Sequence, residues 1–245
     1  SGKDVSKQNN GFLKNIPLPN WSLRYTGLAK LGWFKDVFSQ FTVSHSYTSG
    51  YSVNNFQTNY EYLENPDGLN AGGNYPAKNV VSNITMNESF APLVGVDFRT
   101  KSNIDFGVKI NKDRLLSMSF DNNLLTEVQG NEYSFKFGFI IKDVGFTTNF
   151  EGVANGGRIV SDMRITTEFS WRRNQTIIRY LDYNNNQIGA GQDITNIKVN
   201  ASYDVSKNFT FIFYYEHMFS KAVISTMYPI TNIRSGITLR YNFGN

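Results

Sequence analysis

One property limits the fold of this chain more than any other. Apolar and polar residues alternate with a period of two, through most of its length. The clearest run puts Tyr133, Phe135, Phe137, Phe139 and Ile141 in one register, against Glu132, Ser134, Lys136 and Gly138, with Ile140 the exception. Phe90, Pro92, Val94, Val96 and Phe98 alternate with Gly95, Asp97 and Arg99. Met163, Ile165, Thr167, Phe169 and Trp171 alternate with Arg164, Thr166, Glu168 and Ser170. Near the end come Phe209, Phe211, Phe213 and Tyr215, then Ile237, Leu239, Tyr241 and Phe243. On a helix, charges at every second position would sit on all sides; on a strand they share one face. The pattern predicts an all-β chain with strands of about 9 to 12 residues, the length that crosses a bilayer at a tilt.

Composition narrows the class. Phe, Tyr and Trp make up 15% of the 245 residues, yet the mean hydropathy is only −0.37. A polar chain that is aromatic and alternating fits a transmembrane β-barrel, apolar outside and polar inside. No run of about 18 apolar residues occurs, so no transmembrane helix is expected. The charged fraction of 18% and net charge of +4 do not fit a disordered polyelectrolyte. The basic residues are scattered, so no nucleic-acid patch is expected. There are no cysteines, which excludes disulfides, thiolate metal sites and cysteine nucleophiles. His45 and His217 are the only histidines, too few for a centre built on several.

Residues 1–20 are polar, hold Pro17 and Pro19, and are expected to form a linker or loop. The chain opens Ser1-Gly2-Lys3. That start suggests a processed product, a recombinant segment or an internal fragment. About ten strands are expected from near Trp21 to Phe243, joined by two classes of connection. Short polar joints are expected at Thr100-Lys101-Ser102-Asn103, Val128-Gln129-Gly130-Asn131, Arg172-Arg173-Asn174 and Ser206-Lys207-Asn208. Longer ones are expected at 62–84, 143–161 and 184–191. Short turns at one end and long loops at the other would match outer-membrane barrels. Residues 104–120 read as two strands turning at Asn111-Lys112-Asp113, or as one. Two would put every short joint on the C-terminal, periplasmic side. The unbroken register and the absence of glycine favour one strand, which would move the 62–84 loop to the periplasm.

No nucleotide, nucleophile-elbow or zinc motif is present. Gly189-Ala190-Gly191 reads as an ordinary loop among Asn and Gln. Ser44 and His45 are neighbours on a strand, so they point to opposite faces and form no dyad. His217 reads as a packed or interfacial side chain. Asp97 and Asp105 could pair across a hairpin, and Glu168 could meet a basic residue of a neighbouring strand. The plainer reading is a hydrated wall carrying both signs. Neither an enzyme nor a cofactor is expected.

Several phrases, in order, carry a resemblance. They are Leu18-Pro19-Asn20-Trp21-Ser22-Leu23-Arg24-Tyr25, then Ala91-Pro92-Leu93-Val94-Gly95-Val96-Asp97. Asn111-Lys112-Asp113-Arg114-Leu115-Leu116-Ser117-Met118-Ser119-Phe120 follows, then Leu124-Leu125-Thr126-Glu127 and Glu132 through Val144. Leu239-Arg240-Tyr241-Asn242-Phe243 closes the series. Together they resemble the C-terminal region of the SprA/Sov family, the outer-membrane translocon of the Bacteroidota type IX secretion system. Phe137-Gly138-Phe139 stands where that family has a Gly-x-Gly-Tyr-like pattern, a mild departure. The resemblance implies that residues 21–245 are the C-terminal part of a very large barrel, in a size class reaching about 36 strands. It implies as partners the remainder of that barrel, a PorV-type companion barrel, a plug protein, periplasmic factors and secreted cargo proteins. It also implies outer-membrane lipid around the wall, a wall that opens laterally, and passage of folded cargo to the cell surface.

The alternation then predicts two faces. Asp97, Arg99, Asp105, Lys109, Lys136, Arg164, Glu168, Lys198, Glu216 and Arg240 are expected to line a lumen. Phe90, Val94, Phe98, Tyr133, Phe135, Phe137, Phe139, Ile165, Phe169, Phe209, Phe211, Phe213, Ile237, Leu239 and Phe243 are expected to face lipid. Two other readings remain open here. One is a complete small outer-membrane barrel acting as a passive channel or adhesin. The other is a soluble carbohydrate-binding β-sandwich.

Overall fold

The computed structural model describes residues 19–147, 158–183, 185–206, 208–223 and 227–243. The expected linker, residues 1–20, lies outside them except for Pro19 and Asn20. The strands are β1 (Trp21–Tyr25), β2 (Phe38–Thr58), β3 (Asn79–Thr100), β4 (Asp105–Ser119), β5 (Leu124–Thr147), β6 (Arg158–Tyr180), β7 (Asn185–Ser206), β8 (Phe209–Ala222) and β9 (Ile230–Tyr241). All pair antiparallel in sequence order as one sheet. Two short helices, α1 (Phe34–Val37) and α2 (Tyr60–Glu64), sit in connections. Among the described residues β1 and β9 do not pair, so the sheet is open.

Among the described residues there are nine strands where about ten were expected, and they are longer, with β2, β3, β5, β6 and β7 running 21 to 24 residues. Two of the expected turns are not turns. Residues 128–131 lie inside β5 and 172–174 inside β6, where Val128 pairs Thr176 and Gly130 pairs Asn174. Gly130 serves close approach instead. A Cβ there would fall 2.5 and 2.6 Å from the Asp113 carboxylate oxygens and closer still to Arg172. The missing side chain is what lets Arg172 reach across β5 to Asp113 on β4. Gly189-Ala190-Gly191, expected in a loop, lies in β7. The register slips where Ala190 pairs Thr176 and Ile188 pairs Ile177, so Gly189 is the extra residue of a bulge.

The 104–120 segment holds one strand, β4 (Asp105–Ser119), as the register favours. Thr100 and Ile104 close the hairpin before it. Yet the 59–78 connection lies at the end of the sheet opposite the C-terminus, because the two mid-strand stretches add no reversals. Connections at that far end are 59–78, 120–123, 181–184 and 223–229. Those at the C-terminal end are 26–37, 101–104, 148–157 and 207–208. Each end therefore carries both short and long connections, and the expected sorting of lengths is not found.

Register assigns faces, because directly paired residues share one. The residues expected to line a lumen all lie on one face. Those expected to face lipid lie on the other, except Phe243, which follows the end of β9 and packs its ring 4.8 Å from Tyr241. Among the described residues the apolar face is covered only at one corner, where Trp33 and Phe34 pack on Phe38 and Phe41. Among the described residues no large side chain is fully buried, and Tyr203, 6% exposed, is the buried hydrophobic residue. Its hydroxyl donates to the carbonyls of Val144 and Ile159, beside the β5 bulge. A soluble sheet needs a second layer to cover such a face, and among the described residues there is one sheet.

Candidate functional site

Two surfaces carry what this sheet can do. On the polar face one row crosses seven strands: Asp97 pairs Gly107, which pairs Lys136, then Glu168, Lys198, Glu216 and Arg234. The charges alternate in sign along it, with Gly107 as the only uncharged step. That glycine is again a close approach. A Cβ there would fall 2.7 Å from Asp97 Oδ1 and 3.5 Å from Lys136 Cβ, so a side chain on β4 would part the groups of β3 and β5. Along the row Lys198 Nζ lies 3.4 Å and Arg234 Nη2 2.6 Å from Glu216. Diagonally, Lys109 Nζ lies 3.7 Å from Asp97.

Other members of the same face pair as well. Arg99 donates to both carboxylate oxygens of Asp105, at 2.5 and 3.0 Å. The two aspartates considered as a carboxylate pair thus stand apart: Asp105 faces Arg99, and Asp97 faces Gly107 and Lys109. Arg172 donates to Asp113 at 2.7 and 3.0 Å and lies 3.4 Å from Glu132, tying three strands together. Arg164 and Arg240 share the face, opposite Ser202 and Thr210. Depressions on it are shallow; one of about 170 Å³ lies among Asp97, Gly107, Lys109, Ser134, Lys136 and Glu168. Among the described residues no cluster of three or more metal-ligating side chains occurs.

The opposite face carries an apolar belt. On β5 it runs from Tyr133 to Ile141, about 27 Å along a strand, or near 21 Å of height at the tilt of membrane barrels. Aromatic side chains mark both edges: Tyr47, Tyr133, Trp171 and Phe219 towards the far end, Tyr25, Phe106, Phe209 and Tyr241 towards the C-terminal end. His217 lies within the belt, between Ile197 and Ile233. His45 lies at the β2–β3 irregularity, its Nδ1 2.6 Å from the carbonyl of Leu93 and its ring near Trp21 and Phe90.

Beyond the belt, towards the far end, the same face turns polar. Lys112, Asn131, Arg173, Asp193 and Lys221 form a paired row, followed by Glu88, Arg114, Gln129 and Gln175. Further rows are mixed, with Met86, Leu116 and Ile177 beside a pair of Arg179 and the buried Glu127. In the sequence Lys112 and Arg114 interrupt the even-numbered apolar series that runs from Ile104 to Phe120. That the interruption marks an edge continued on neighbouring strands needed the register.

No protein-family model matches this chain, and no curated protein matches it.

Proposed function

We propose that this chain is one wall of an outer-membrane protein-conducting pore of the type IX secretion kind. Its apolar belt faces lipid and its alternating-charge face lines the water-filled passage. The observation that carries the membrane reading is the belt itself: a face of Phe, Tyr, Val and Ile, edged by aromatics, with no second layer over it among the described residues. A bilayer supplies the missing layer. The reading as part of a larger barrel draws on the open edges. β1 and β9 run in the same direction, so joining them would require a parallel seam in an otherwise antiparallel barrel. Neighbouring strands of a larger wall satisfy both edges without one. The assignment to secretion draws on the ordered phrases that resemble the SprA/Sov family, and on the polar face, where hydrated charges of both signs hold water rather than cargo.

The proposed partners are the remainder of the barrel, a PorV-type companion barrel, a plug protein, periplasmic factors and folded cargo. The test is purification from outer membranes in mild detergent through a tag on this chain. Unboiled and boiled samples are compared on a gel, with mass spectrometry of accompanying bands. A translocon wall arrives as part of a much larger polypeptide with partner barrels. A compact, heat-modifiable species of about this chain's own mass would replace the proposal with a self-closing small barrel.

A further inference from the structure

The apolar belt ends differently at its two edges. Towards the far end, Lys112, Arg173 and Lys221 follow the belt on β4, β6 and β8, all exposed and in one paired row with Asn131 and Asp193. Towards the C-terminal end no paired position of β3–β9 on this face holds Lys or Arg; Lys142 lies in the unpaired bulge of β5. Arg173 is held by Asp193, donating to its two oxygens at 2.7 and 2.8 Å, with the guanidinium 5.4 Å from the Trp171 ring centroid. Lys112 and Lys221 close no ion pair among the described residues. Beside Lys112 a depression of about 410 Å³ is lined by Phe90, Arg114, Glu127, Gln129 and Asn131, together with Glu88. Its carboxylates are engaged, Glu88 by Arg114, Glu127 by Arg179, and Asp113, which also lines it, by Arg172, so none of them closes on the Lys112 ammonium.

We propose that this cationic strip docks the phosphate groups of the phosphorylated glycolipid of the outer leaflet. The proposal rests on the reading of the belt as lipid-facing. Long basic side chains just beyond an apolar belt lay their stems on the hydrocarbon and their charges in the headgroup layer. Lys112 and Lys221 stand four strands apart, about 19 Å. Because membrane strands tilt, the strip climbs obliquely by about 12 Å. It therefore meets anionic groups over a depth, as a glycolipid offers on its anchor and on its inner sugars, rather than in a single plane. The strip also orients the wall. A far end that faces outward meets this lipid, and a C-terminal end that faces the periplasm does not.

The test uses the whole assembly extracted from outer membranes in mild detergent. Phosphorylated glycolipid retained per chain is measured by mass spectrometry for the native protein, for Lys112→Ala with Lys221→Ala, and for Lys112→Arg with Lys221→Arg. Retention should fall roughly five-fold for each lysine lost to alanine and stay at the native level in the arginine pair. Quenching of Trp171 by lipids brominated in their acyl chains, taken by difference against Trp171→Phe, reports the belt separately. Undiminished retention in the alanine pair with Trp171 still quenched overturns the strip and leaves the membrane reading standing. An equal loss in the arginine pair also overturns it, since charge is then not what binds. An unquenched Trp171 overturns both.

Discussion

Phe137 and Lys136 are neighbours in sequence with nothing else in common. Phe137 is 43% exposed on the apolar face, 5.7 Å from the Phe139 ring, and Lys136 stands in the charge row behind it. Phe137→Arg should cost about 2–4 kcal/mol if the position meets mid-bilayer lipid. Urea unfolding of the assembly in lipid vesicles measures this, with Lys136→Arg expected to leave the midpoint in place. Equal shifts in the two would dissolve the distinction between faces. Gly130 makes a second prediction of the same grain. A valine there pushes into Asp113 and Arg172 and should cost about 1–3 kcal/mol, as overpacking does. The penalty should shrink in an Asp113→Ala background, where one of the crowded partners is gone; a double-mutant cycle reads the difference. An unchanged penalty would mean that Gly130 is needed for some other reason.

At the level of the strand, the same glycine explains what could and could not be seen in sequence. Faces were legible because alternation survives wherever a strand continues, including through Lys112 and Arg114. Strand ends were not, because Gly130 and Asn174 have the composition of turns. What keeps them in strands is an arginine reaching an aspartate 59 residues away, and no local pattern reports that. The charge row was hidden for the same reason. Five of its six charged members were assigned to the polar face from sequence and Arg234 was missed; their alignment exists only once register is set between strands. Continuous strands predict slow amide hydrogen exchange at Val128–Asn131 and Arg172–Asn174, with protection close to that of Tyr133–Phe139. Fast exchange confined to those two stretches would restore the turns.

For the whole molecule, orientation is the next measurable property. The chain contains no cysteine, so single cysteines report cleanly. On intact cells a membrane-impermeant maleimide should label Tyr60→Cys, in the far-end connection, and spare Ser102→Cys, in the β3–β4 turn. The reverse pattern would invert the wall. The charge row has a consequence at this scale too. Its six charged members alternate from strand to strand and sum to zero. Since strands are spaced near 4.8 Å, the pattern repeats every 9.6 Å or so, and a potential of that wavelength falls e-fold for about every 1.5 Å from the surface into water. Ions beside the sheet sense strong local fields, while a bulky body one nanometre off senses almost none. In electrical terms the wall is rough to the touch and flat from a distance.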